Sequence, residues 1–249
     1  MTQPHPQPQY ETVAFWSGHA NSSAMCLRMV EIKKAPDIIV HAVTGLEFPE
    51  VYEFMDNFEK LIGIEVVRED IISKKPNYEF DKYFNQPFCR GKFTGSIHGF
   101  PMMAGRCWHK ANVKNPVYRK YEQTAKETYT GMTVDEKNRI SPNPKYKYPL
   151  IDWGWTAAMS IQYLEKRGIP HNIYKRGFKR LGCVFCPNMS KNDLFVIFRD
   201  YPDIWDKLLD YESKSPRKMR GNGTGNKNLF ELQDEFDKKT MQKTLSGAP

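Results

Sequence analysis

No stretch of the sequence approaches the roughly 18 consecutive apolar residues that a membrane-spanning helix needs. The opening "MTQPHPQPQYET" has neither the basic end nor the apolar middle of a secretion signal, so a cytoplasmic protein without membrane attachment is the expectation. Cysteine is scarce and odd in number, five residues with none after Cys186, which argues against a disulfide framework and for metal or redox chemistry at the "CVFC" pair. There is no internal repeat and no long low-complexity tract, which excludes a solenoid. Acidic residues are missing from Lys214 to Lys227.

What is present is enough for one substantial core: 249 residues, 40% hydrophobic and 27% charged. The formal net charge of +8 suits anionic partners, nucleotide or nucleic acid, and equally suits a soluble basic surface.

Along the chain, "TVAFW" at 12–16 predicts a short buried strand, and "SSAMCLRMVEIKK" spaces Met25, Leu27, Met29 and Ile32 as a loosely amphipathic helix. "DIIVHAVTG" predicts a second strand ending in Gly45. In "FPEVYEFMDNFEKLIG", Pro49 suits a first helical turn, and Val51, Phe54, Phe58 and Leu61 recur at helical spacing. "IEVVRED" supplies a third strand. Alternation of this kind argues for an α/β fold: a doubly wound, mostly parallel sheet with helices on both faces, three layers in all.

The expected organisation is an N-terminal arm at 1–11, a nucleotide-binding domain at 12–190 with an irregular insert at 72–126, C-terminal helices at 191–213 broken at Pro202, and a basic linker and tail at 214–249. After the insert the sheet resumes at "ETYTGMTV", and the helix "TAAMSIQYLEKRG" stops at Gly168.

The turn "SGHANSS" joins the first strand to the first helix. In a doubly wound sheet such a turn lies where ligands bind, and the helix start presents unsatisfied backbone N–H groups. Ser17, Ser22 and Ser23 could add hydroxyls, Gly18 permits close approach or a positive φ, and the imidazole of His19 could reach a phosphate. Ser and Asn also cap helices for purely structural reasons.

Four stretches, in order, resemble the phosphoadenylyl-sulfate reductase family of the adenine nucleotide α-hydrolase-like, or PP-loop, proteins. "SGHANSS" resembles the SGGxDS pyrophosphate loop, and "VTGLEFPEVYEF" resembles DTGLEFPETYEF. "GMTVDEKNR" resembles GxRxxES-x-x-R, and "GFKRLGCVFCP" resembles the segment before a cysteine pair. The resemblance covers roughly 12–190 and implies an adenine nucleotide, PAPS or ATP, across the carboxyl edge of the sheet. It places Ser17, Gly18 and Ser22 at the phosphates, and Thr44, Gly45 and Glu47 near the nucleotide and its leaving group; His19, Asn21 and Ser23 of the same loop are further candidates for nucleotide contact. Glu136 and Arg139 match the third motif, where Arg139 could grip a phosphate or sulfate or simply pair with a neighbouring acid.

The departures are as informative. His19 replaces the loop's second Gly, Asn21 its Asp, Val43 the Asp of the second motif and Thr133 the Arg of the third. Reductases of this family also use a nucleophilic cysteine near the carboxyl end, which this chain lacks.

Cys183 and Cys186 have the gap that lets two thiolates face one metal, and Cys89 and Cys107 in the insert could complete four ligands. An iron–sulfur cluster and zinc both accept such a set, and His98 or His109 could replace one cysteine for zinc. A redox-active or idle dithiol is the plainer alternative. Cys26 in the first helix reads as core, and His5, His41 and His171 as structural or solvent-facing.

Trp108, Trp153, Trp155, Phe178 and Phe185 flank the expected cleft, where core packing is the ordinary role and stacking on a base the functional one. Lys214, Arg217, Lys218, Arg220 and Lys227 suit loose phosphate contact with nucleic acid or a solvated linker. Two functions follow. One is sulfonucleotide reduction or ATP-driven sulfur transfer by an enzyme that carries a cysteine-held metal. The other is a nucleotide- or nucleic-acid-binding protein without turnover, stapled by zinc. Homo-oligomerisation stays open.

Overall fold

Each strand that the alternation predicts exists and every pairing is parallel. The computed structural model describes residues 9–101, 106–219 and 227–245. In chain order the elements are β1 (Tyr10–Phe15), α1 (Ala20–Glu31), β2 (Ile38–Val43), α2 (Pro49–Ile62), β3 (Val66–Asp70), α3 (Ile71–Lys74) and α4 (Phe80–Asn85). A π-helical turn, Lys110–Lys114, leads into α5 (Asn115–Thr124). Then come β4 (Ala125–Thr130), β5 (Tyr146–Lys147), α6 (Pro149–Asp152), α7 (Ala157–Lys166), α8 (Lys191–Asp200), α9 (Pro202–Lys214) and α10 (Leu229–Leu245).

The chain divides into two units, 1–75 with 112–173, and 76–111 with 174–249. The first contains the sheet, in the order β3-β2-β1-β4-β5, with Val13 opposite Ile38 and Phe15 opposite Thr130. α5 covers one face through Val117 and Tyr121, which bury Val13, Phe15 and Val40; α1, α2 and α7 pack together on the other. α1 is buried nearly all round, and burial pushes the Cys26 thiol up to about 12, so Cys26 is core.

α2 begins at Pro49 and ends at Gly63, whose φ of 67° lets the chain leave the helix left-handed. Its buried stripe is Val51, Phe54, Met55, Phe58 and Ile62; Leu61, expected on that stripe, is half exposed because it falls one position short of the turn. Glu31, at the end of α1, accepts from Tyr163 Oη at 2.6 Å and from Arg167 Nη2 at 2.8 Å, joining α1 to α7.

Residues 112–124 of the 72–126 stretch are helical and form the crossover between β3 and β4, whereas 76–111 belong to the second unit. That unit is built on aromatic packing. Phe80 lies 4.8 Å from Phe185, 5.3 Å from Tyr211 and 5.2 Å from Trp108 between ring centroids. α8 starts at a capping box in which Ser190 and Asp193 bond each other's backbone. The break at Pro202 is where the sequence places it. α10 occupies much of the expected tail: Leu229, Leu232 and Phe236 are buried, with Phe236 against Trp205 and Phe198. The carboxylate of Glu212 accepts from Met219 N at 2.9 Å and Leu229 N at 3.4 Å, clasping both sides of 220–228.

Of the N-terminal arm, residues 1–8, and with them His5, lie outside the described residues, as does Arg220; Tyr10 and Glu11 already belong to β1. No helix among the described residues is long and apolar enough to cross a membrane.

Candidate functional site

Strand order reverses between β1 and β4, and the segments after β1, β2 and β4 all leave the carboxyl ends of their strands there. The first is Ser17–Ser23. Gly18 adopts φ 77°, and a side chain there would also meet Met55 Sδ at 2.6 Å, so backbone shape and packing both require glycine. His19 is the N-cap of α1 without capping it through its side chain.

The turn is locked from within by hydroxyls. Ser17 Oγ and Ser22 Oγ share a hydrogen bond of 2.9 Å, Ser17 N donates to Ser22 Oγ at 3.1 Å, and Ser22 Oγ donates to His19 O at 3.2 Å. Ser23 points the other way. Fully buried, it accepts from the indole of Trp16 at 2.8 Å and donates to His19 O at 2.9 Å, which gives it a structural role rather than a ligand's. Asn21 is half-buried at the helix start.

Two buried histidines hold the turn from outside. His41 Nδ1 donates to Trp16 O at 3.0 Å, and His171 Nε2 donates to Gly18 O at 2.9 Å. Burial lowers both rings to about 4, so both are neutral donors at physiological pH. With the carbonyls on either side of Ser17 turned inward onto imidazoles, the turn is pre-set as a source of N–H groups. Neither partner is visible in the sequence because both are backbone atoms.

The segment after β2 brings Thr44, Gly45 and Glu47 to the same edge. Thr44 Oγ1 donates to Glu47 Oε1 at 3.0 Å, and His19 Nε2 lies 3.1 Å from Glu47 Oε2. Burial alone would raise the Glu47 carboxyl. The hydrogen bond and charge of His19 outweigh it, with Lys114 and His41 contributing, and hold the carboxyl at about 2. Gly45 takes φ 68°.

After β4, Gly131 backs directly onto the start of α1: a Cβ there would sit 2.6 Å from Ser22 Cα and 2.7 Å from Ser22 N. Thr130 carries a buried hydroxyl with no hydrogen bond among the described residues. Glu136 and Arg139 pair with each other on a 3₁₀ turn, Val134–Arg139, with Arg139 nearly half exposed. Thr133 is fully buried. Trp153 and Trp155 pack edge to face at 5.6 Å, and Trp155 lies 4.8 Å from Tyr163.

Cys89, Cys107, Cys183 and Cys186 all fall in the second unit. In "CVFC", Val184 and Phe185 are buried and both cysteines are half-buried, with Cys186 N donating to Cys183 O at 2.9 Å. Cys107 Sγ accepts from Lys110 N at 3.4 Å, and Cys89 is exposed. Among the described residues no three His, Cys, Asp or Glu side chains gather closely enough to hold a metal ion, so as placed these thiols do not make a ligand set. His109 is buried between Trp108 and Phe80, and His98 lies against Tyr83 and Phe88. Phe178 and Phe185 are core.

The basic stretch is largely matched by acids. Lys214 meets Asp210 at 2.6 Å, Lys218 meets Glu231 at 3.6 Å and Lys227 meets Glu235 at 2.9 Å, while Arg217 lies over the Phe93 ring.

A parallel sheet with small-residue turns converging at its switch point is the arrangement in which doubly wound α/β domains hold their ligands. Residues 11–189 match the phosphoadenosine phosphosulfate reductase domain family, and the chain belongs to it. Two curated relatives are uncharacterized proteins of Methanocaldococcus jannaschii. MJ0066 is 26% identical over 81% of this chain and 42% of its own length, and MJ0973 is 24% identical over 69% and 40%. The chain therefore spans about two fifths of the length of these relatives. Among solved structures, phosphoadenylyl-sulfate (PAPS) reductase from Candida auris, in a phosphate complex, superposes with a TM-score of 0.48 at 13% identity, covering 70% of this chain and 81% of that one. The U34-tRNA thiolase NcsA from Methanococcus maripaludis, with its 4Fe–4S cluster, gives 0.42 at 14% identity, covering 94% and 72%.

Proposed function

We propose that the first unit binds an adenine nucleotide, PAPS or ATP, with its phosphate or sulfate end at Ser17–Ser22, and that the chain acts in sulfonucleotide reduction or sulfur transfer. The observation that carries this reading is the pinning of Trp16 O and Gly18 O by His41 and His171, in a turn that the family uses for phosphate. Fixed N–H donors at a helix start suit an anion without reorganisation, and positioning is the main contribution this unit can make to group transfer.

A thiolate that takes or delivers sulfur cannot be Cys26, whose thiol is buried and ionises only near 12. It is then one of Cys89, Cys107, Cys183 and Cys186 or belongs to a co-substrate. A metal centre on those four cysteines, iron–sulfur or zinc, is a separate part of the reading. It requires ligands beyond any group that gathers among the described residues, and no step here runs through it. Purification without oxygen, followed by measurement of iron, zinc and acid-labile sulfide, decides it. Iron with sulfide supports cluster chemistry, whereas zinc or no metal leaves the cysteines structural or nucleophilic.

A competing reading is a nucleotide- or nucleic-acid-binding protein without turnover. It is favoured by Thr133, fully buried where the family's motif has arginine, so that position supplies no cation. Release of adenosine 3′,5′-bisphosphate or pyrophosphate from PAPS or ATP separates the two. Nucleic-acid contact through Lys214–Lys227 belongs to either, and its affinity should fall steeply with salt. Calorimetric titration with ATP and PAPS tests the shared premise: Ser22→Ala should bind roughly 3- to 10-fold more weakly than the parent, the worth of one hydrogen bond. Equal affinity would falsify the placement of the phosphates.

A further inference from the structure

The turn carries no lysine or arginine between Ser17 and Cys26, yet beside it lies a carboxylate that is buried and ionised. A bare carboxylate there would repel any phosphate or sulfate. The side chain between them is His19, about 15% exposed, with Nε2 3.1 Å from Glu47 Oε2. Because Glu47 is ionised it only accepts, so His19 Nε2 carries the hydrogen in either protonation state. Thr44 Oγ1 donates to the other carboxylate oxygen and fixes that orientation.

The ring nitrogen left to face a ligand is therefore His19 Nδ1, which has no hydrogen bond among the described residues. Protonated, it is an N–H donor on a cation. Deprotonated, it presents a lone pair to the ligand.

We infer that His19, backed by Glu47, is the proton-operated cation of this turn: its imidazolium donates from Nδ1 to an anionic group of the nucleotide, so that nucleotide binding takes up a proton. This rests on the nucleotide reading above and adds to it the residue that neutralises the ligand. The other charged or titratable groups bearing on the pair are His171 beside His19, and Lys114 and His41 acting on Glu47. Both His41 and His171 are neutral and hydrogen-bonded to carbonyls, so neither supplies the charge. A glycine at position 19, the residue of the family's loop, has no side chain to donate from.

The test is ATP binding by the full chain across about pH 5.5–8.5, measured by calorimetry in buffers of different ionisation enthalpy, for the parent, His19→Asn and His19→Lys. Asn is a good N-cap and keeps the turn foldable. Parent affinity should fall with rising pH by about tenfold more than that of His19→Asn, the change expected for losing one charge-assisted hydrogen bond, and His19→Lys should bind tightly without that fall. Proton uptake on binding should be larger for the parent than for His19→Asn. ATP's own titration is common to all three and cancels in the comparison. Parallel pH profiles and equal proton uptake in parent and His19→Asn overturn this inference alone. No binding of either ATP or PAPS by the folded parent at any pH overturns the nucleotide reading and this inference with it.

Discussion

His171 lies flat on Phe54, ring centroids 4.0 Å apart and planes 13° from parallel, with Nε2 2.9 Å from the Gly18 carbonyl. One residue from the far end of the unit thus sets the backbone of the turn after β1, and His41 does the same for Trp16 from the neighbouring strand.

The two rings make stability depend on pH. Both are held near 4 against an ordinary 6.5, so between those values the unfolded chain binds more protons than the folded one. Their contribution is full above about pH 6.5 and is lost as pH falls toward 4, on the order of 2–3 kcal/mol per ring. Glu47, held down at about 2 against 4.5, adds a further loss only below that higher value. Urea denaturation should show a falling midpoint from pH 7 to 4.5, reduced in His41→Gln; a midpoint that does not move sinks the assignment of neutral rings.

Gly131→Ala should disturb the start of α1, since its Cβ would land 2.6 Å from Ser22 Cα, a backbone atom that cannot step aside. A loss of about 1–3 kcal/mol is expected, together with weaker ATP binding. Gly63→Ala is the comparison: no atom lies within 4 Å, and only the left-handed φ costs it, about 1 kcal/mol. If Gly131→Ala binds ATP as the parent does, the close approach has no bearing on the ligand.

Ser22 and Ser23, adjacent in sequence, should separate in function. Ser23→Ala leaves the Trp16 indole N–H buried without its acceptor and should cost about 1–3 kcal/mol of stability. Ser22→Ala should weaken nucleotide binding with a smaller effect on stability. The pair of measurements is a denaturation curve and an ATP titration on each variant, and reversed effects would show the turn to be inside out.

Phe185→Ala tests whether the cysteine turn depends on its spacer. Its ring packs on Phe80 at 4.8 Å and Tyr211 at 5.1 Å, so truncation should cost about 3–5 kcal/mol and should raise the alkylation rates of Cys183 and Cys186. Unchanged rates would mean that the turn holds its shape without the aromatic core.

The periodicities of 2 and 3.6 sufficed for the parallel sheet and its helices, because strands buried on both faces and amphipathic helices leave a strong pattern. The candidate edge was legible through "SGHANSS", "VTGLEF" and "GMTVDEKNR", whose residues the fold brings to the ends of three strands. Hidden were the contacts made to backbone, such as His41 to Trp16 and His171 to Gly18, which no spacing encodes. The same holds for α10: its polar sequence reads as tail until Phe236 finds Trp205 and Phe198. Gly131 was visible only as part of a motif, since its closeness to Ser22 exists only once β4 lies beside β1.

Cys26 gives the molecule a built-in clock. It is fully enclosed in α1, the helix that begins at the turn after β1, while at most four thiols meet solvent in the folded chain. A thiol-specific dye applied to the native protein should therefore count up to four quickly, and a fifth only as often as the sheet unit opens. Any small molecule that seats itself at that turn will then announce its presence by delaying the fifth count, with no radiolabel, no coupled assay and no knowledge of the reaction required.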